Sequence, residues 1–237
     1  MNSCVGAENR LIALSQGTTV VSAAREWRHE GICQNYESAL AACDFCSDQA
    51  LRFTFLIQNT VTGHKAWVGD KCLLALRIPI YSNGERIPDH RARQHLAAQV
   101  QCLVTSQAIT ACTVLALEKR DVLLADAIIQ YRNHGRVTIH EASLIFSGIE
   151  QCRMLTNDVV LPIYTQRDED IEQLRSIPSW ALWRFWHCLT PEQVKLALCC
   201  GHTKPDVLHG ELVRYQRETD RSLPLLRITK PGLPDQA

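Results

Sequence analysis

Thirty residues, CDFCSDQALRFTFLIQNTVTGHKAWVGDKC from Cys43 to Cys72, constrain this chain more than any other stretch. Cys43-Asp44-Phe45-Cys46 leaves a two-residue gap, which lets two thiolates grip one ion from a tight turn. LRFTFLIQN is rich in aromatic and β-branched residues and predicts a strand. Asn59-Thr60-Val61-Thr62-Gly63 supplies turn chemistry, and His64 to Gly69 runs back as a second strand. Cys72 follows where the chain enters a helix predicted over Lys71 to Leu76. Knuckle, hairpin and a cysteine at a helix start make a compact zinc-finger layout without a second CxxC pair.

Cys43, Cys46 and Cys72 account for three ligands of a Zn2+ ion; the fourth is a question of reach. Strands rise about 3.3 Å per residue, so a histidine at the hairpin tip, His64, sits on the order of 16 Å from the knuckle. That is far beyond metal–ligand bonds of roughly 2.0–2.3 Å. Cys33 can fold back across a short helix predicted from Tyr36 to Ala42, and Asp70, two residues before Cys72, is the other candidate. The spacing favours Cys33. The alternative to a metal is that Cys43 and Cys46 are ordinary buried thiols.

With 237 residues, one large or two small domains are expected, and 46% hydrophobic residues suffice for a folded core. Met1 to Gly17 does not read as a basic-then-apolar leader, which predicts a cytosolic address. There, clustered cysteines hold metal more often than they form disulfides, and this chain has 11. Leu96 to Leu117 is broken by Gln99, Gln101, Thr105, Ser106, Gln107 and Thr110, predicting a buried helix and no membrane span. Lys plus Arg and Asp plus Glu balance at 25 each, whereas a protein that binds nucleic acid alone usually carries a basic excess. A nucleic-acid role would be local, or shared with more basic partners.

The predicted fold class is α+β, mostly α: a zinc-finger β-hairpin domain over 1–88, then a helical bundle over 89–237. Thr18-Thr19-Val20-Val21 looks β-like. Arg25-Glu26-Trp27-Arg28-His29 suits stacking and phosphate contact, or else is a helix turn with one buried Trp. A loop bracketed by Pro79 and Pro88 and holding an Asn83-Gly84 turn marks the boundary. Asp89 can cap the long helical region that follows, with a break expected near Glu118 to Asp121 and an end at Gly135. Thr138 to Glu141 has capping-box spacing, and Thr190-Pro191-Glu192-Gln193 is the clearest helix start in the chain. Trp180 to Trp186 reads as a helix serving core or interface.

No Gly-rich phosphate loop, GxSxG elbow or HExxH helix is present, and Asp168-Glu169-Asp170 reads as a surface run at a helix start. His187, Cys188, Cys199, Cys200 and His202 form a second cluster, suited to joint ligation or to the core of a helical region. Cysteine-rich zinc sites are mostly structural, so the chain reads as a non-enzyme. Arg86, Arg91 and Arg93 make the densest basic spot of the N-terminal half, and with Lys65 and Lys71 they are the candidate phosphate contacts. Asn83 can pair with a base edge.

Cys43-x-x-Cys46, the hairpin ending in Trp67-Val68-Gly69-Asp70-Lys71-Cys72, and a helical half containing Trp180 to Trp186 resemble the small zinc-finger large subunit of type IV CRISPR effector complexes. The local pattern also looks like zinc segments of phage and plasmid proteins. The CRISPR resemblance implies a plasmid-borne subunit at the guide RNA 5′ end that helps read a protospacer-adjacent motif in double-stranded target DNA. It implies other effector subunits as partners and a recruited helicase as the source of interference. In such complexes base pairing carries most of the sequence recognition, and the protein reads a few duplex base pairs. The competing expectation is a protein–protein adaptor with a purely structural zinc finger.

Overall fold

The computed structural model describes residues 3–36, 40–48, 50–165 and 168–205. It is an α+β chain, mostly helical, with a small N-terminal sheet ahead of a run of helices. Helices α1 (Ser3–Ala13) and α2 (Val20–Ala24) come first. The β-like look of Thr18 to Val21 is overturned here: Thr19 and Ser22 close a reciprocal capping box, which favours helix over local β propensity.

A three-stranded antiparallel sheet follows, ordered β1 (Trp27–Asn35), β2 (Phe53–Asn59), β3 (Lys65–Val68). The hairpin is β2–β3, with Phe55 opposite Val68 and Gln58 opposite Lys65. Strand β1 replaces the helix turn considered for Arg25 to His29. Trp27 and His29 point inward and are 1% and 0% exposed, while Arg28 points outward and pairs with Glu30 at 2.9 Å. The β1–β2 register shifts between His29 and Cys33, around Gly31 at φ 92°, a backbone setting that favours glycine. The helix expected from Tyr36 to Ala42 is absent from its described part. Ala41 instead bridges to Leu51, and 37–39 lie outside the described residues.

Asn59 fixes the hairpin tip. Its fully buried side chain accepts from the amides of Val61 and Thr62 and donates to Leu14 O and to Glu26. Glu26 also accepts from the amides of Gln16 and Gly17, and these bonds, Asn59 foremost, hold its carboxyl below the usual range. Helix α3 (Asp70–Ala75) then leads to the hairpin β4 (Tyr81–Ser82), β5 (Glu85–Arg86), whose two-residue Asn83-Gly84 turn has both residues at positive φ.

Helix α4 (Asp89–Lys119) organises the molecule. Its N-cap is Pro88 with no side-chain cap bond, so Asp89 is the first helical residue rather than the cap. Ala92 and Leu96 belong to the core under the sheet; Val104, Ala108 and Cys112 belong to the core among the helices; Val100 packs against both. By length and composition α4 could cross a membrane, and 33% of its apolar window is buried inside the protein. It ends at Arg120 in the left-handed region, and Asp121 caps α5 (Val122–His134), so the break falls where the sequence puts it. Gly135 closes α5, and Thr138 opens α6 (Ile139–Gln151) with a full capping box. Helix α7 (Asp168–Ser176) begins with the acidic run, of which Asp170 is buried rather than at the surface. The tryptophan-rich segment is only a short α8 (Ser179–Trp183) followed by a 3-10 turn, and Thr190 caps α9 (Pro191–Cys199).

Candidate metal centre

Three elements converge on one point. The Cys43–Cys46 knuckle is a closed turn: the Ser47 amide donates to Cys43 O at 2.9 Å, and the Cys43 amide donates to Asp48 O at 2.8 Å. Ser47 takes a φ of 58°, as a turn this tight demands. Asp44 docks the knuckle on the outer edge of β3. Its amide donates to Trp67 O at 2.9 Å, and its carboxylate accepts from the Trp67 amide at 2.6 Å. Gly69 then turns the chain from β3 into α3 and sets Cys72 in the first turn of that helix. A Cβ on Gly69 would lie 3.0 Å from the Leu51 side chain, so the smallest residue lets the strand and knuckle segments close up.

The sulfurs of Cys43, Cys46 and Cys72 lie within 4.8 Å of one another, with Cys43 and Cys72 buried and Cys46 half-buried. Thiolates on one tetrahedral zinc at about 2.3 Å would stand about 3.8 Å apart, so small side-chain shifts bring the three onto a common ion. The electrostatics suit a cation. The Cys72 thiol donates to Cys43 and, with amides of Cys46, Gly69 and Phe45, holds the Cys43 thiol down at about 5 against the effect of burial. Cys72, as that donor, is pushed far up, and burial and the Cys46 sulfur push it in the same direction. The metal-free pair therefore keeps one proton between two sulfurs, which a divalent ion can displace.

Cys33 does not join this group, which corrects the expectation that it is the fourth ligand. It lies on β1 opposite Phe55, half-buried against the same core, and burial pushes its thiol up to about 11. Strand β2 lies between β1 and the β3 edge on which the knuckle docks. Asp70 stays outside the group as well. Among the described residues, no fourth His, Cys, Asp or Glu atom reaches all three sulfurs. His64 is exposed at the hairpin tip, bonded to Thr62. The second cluster does not assemble a site among the described residues: His187 Nε2 bonds Val159 O at 2.7 Å, and the His202 ring lies between Ser179 and Leu174 O.

The six residues expected to touch nucleic acid are all exposed. Lys65 begins β3, Lys71 sits beside Cys72 on α3, and Asn83 forms the β4–β5 turn at φ 50°. Arg86 pairs with Asp89 at 3.3 Å, while Arg91 and Arg93 project from the start of α4. Sequence reasoning misses Arg52, which pairs with Asp158 at 2.6 Å and ties the sheet to the helices. It also misses Asp44, for which a place inside the CxxC gap is the available signal. No protein-family model, curated protein or solved structure matches the chain.

Proposed function

We propose that this chain is a non-catalytic nucleic-acid-recognition subunit whose N-terminal head is held together by a structural Zn2+ on Cys43, Cys46 and Cys72. The observation that carries the reading is the three-sulfur cluster, which joins a turn, a strand edge and a helix, with Lys65 and Lys71 exposed on the elements it joins. Zinc held by these three thiolates would fix the turn, the strand edge and the helix to one another. Lys65, Lys71, Arg86, Arg91 and Arg93 are the proposed phosphate contacts, and Asn83 the contact to a base edge. With a balanced total charge, such contacts act beside more basic subunits. That fits the RNA-guided, type IV CRISPR-like effector complex the sequence resembles, with guide RNA, target duplex and a helicase as partners.

A titration of the zinc-loaded full chain against labelled single-stranded RNA and duplex DNA, at 50 mM and 200 mM salt, tests this. Binding is expected to weaken with salt, and Arg86→Ala, Arg91→Ala and Arg93→Ala together should flatten the slope, by about 0.9 for each duplex phosphate that is no longer neutralised. No binding at low salt, or a triple variant indistinguishable from the parent, overturns it. A second reading, a zinc-finger adaptor between proteins, is favoured by Trp180, which is 58% exposed with the Arg184 guanidinium over its ring.

A further inference from the structure

A cavity of about 540 Å³ lies between β2 and α4, with Asp70 and Leu74 of α3 in its lining. Its size falls in the roughly 300–1,000 Å³ range of small-molecule sites. The floor is apolar, built from Phe53, Phe55, Leu96, Val100 and Val104, and the exposed residues Arg93 and Ala97 stand at its rim. One wall is a fixed planar cation. The Arg52 guanidinium lies 4.8 Å over the Phe53 ring and is clamped by Asp158, while Gln101 donates to Asp158 O at 2.6 Å.

Three further polar residues line this space without a side-chain hydrogen bond or ion pair to any described residue: Arg93 and Asn157, both exposed, and the half-buried Asp70. A cation, a two-oxygen acceptor and an amide around an apolar floor with a planar cationic wall call for a flat ligand that carries an anion and adjacent donors. An unstacked nucleotide has that shape, since proteins hold splayed bases on aromatic or guanidinium planes and bond their Watson–Crick edges. An ionised carboxylate only accepts, through two oxygens side by side. Guanine is the base whose Watson–Crick edge presents two adjacent donors, N1–H and the N2 amino group.

We propose that this cavity takes one unstacked guanine nucleotide of a single strand, its base on the Arg52 plane, its Watson–Crick edge on Asp70 and its phosphate on Arg93. The proposal rests on the nucleic-acid reading above and adds the base and the place. It is tested with the zinc-loaded full chain by fluorescence anisotropy on an oligouridylate, on the same strand with one central guanine, and with GMP as competitor. The guanine strand should bind about tenfold or more tighter than the all-uridine strand. Asp70→Asn and, separately, Ala97→Trp, which fills the rim, should remove that preference while zinc content stays at the parent level.

Equal binding of the two strands, or a preference surviving both substitutions, overturns the proposal and leaves general nucleic-acid binding standing. GMP binding as tightly as the strand overturns the strand as the source of the guanine. Failure of either strand to bind at low salt removes this proposal together with the reading it rests on.

Discussion

At the scale of single residues, the chemistry concentrates in two cysteines. Cys43 is set low, at about 5, by a thiol donor and three backbone amides, and Cys72 is set high because it is that donor. The sign for metal binding follows. Cys43, the lowered member of the pair, offers a thiolate, but Cys72, the raised member, keeps a proton that an incoming ion must expel, so affinity rises with pH. Zinc affinity is therefore expected to fall about tenfold per pH unit, for each proton displaced, as the solution is taken from about pH 8 to about pH 6. Competition with a colorimetric chelator across that range checks this; an affinity indifferent to pH would mean that these thiols are not the ligands.

At the scale of elements, helix ends follow their caps. Thr138 and Thr190 each close a capping box with the residue three further on, and Arg120 with Asp121 breaks the long helical run of α4 and α5 where the charged residues cluster. The close packing of those helices is not visible in propensity. At Gly148, on α6, an added Cβ would stand 3.1 Å from Leu124 and 3.2 Å from the Cys112 sulfur. Gly148→Val should therefore overpack the α4–α5–α6 seam and cost about 1–3 kcal/mol, read by urea unfolding; an unchanged midpoint would show that the seam can open.

Local chemistry made β2, the Asn83-Gly84 turn, α3 and the long helices legible, while the two short strands that flank that turn were read as loop. Strand β1 was not, because its inward residues, Trp27 and His29, stand among charges and are explained only by packing under α4, where His29 meets Gln99. Cys33 was misplaced for the same reason. Its short separation from Cys43 in sequence says nothing of the strand that pairing inserts between it and the knuckle. The cavity was equally hidden, since it joins residues from β2, α3, α4 and the 157–158 turn.

At the scale of the molecule, two buried cores share α4, and the Arg52–Asp158 pair adds a second tie between the sheet and the helices. The sheet side has the smaller buried core, and its knuckle is tied in through the four-residue β3 and a six-residue helix. Small units of that kind lean on a metal when apolar burial alone is thin. Thermal unfolding of the chelator-stripped full chain, followed as zinc is added, tests that dependence most directly. Ligand linkage contributes about 2.7 kcal/mol at a hundredfold excess over Kd, and each kcal/mol moves Tm by about 2–4 °C in a chain of this length. The expected result is a Tm that climbs by roughly 5–10 °C, saturates at one ion per chain, and does not climb in Cys43→Ser. A Tm unmoved by zinc, or moved equally in Cys43→Ser, would contradict it.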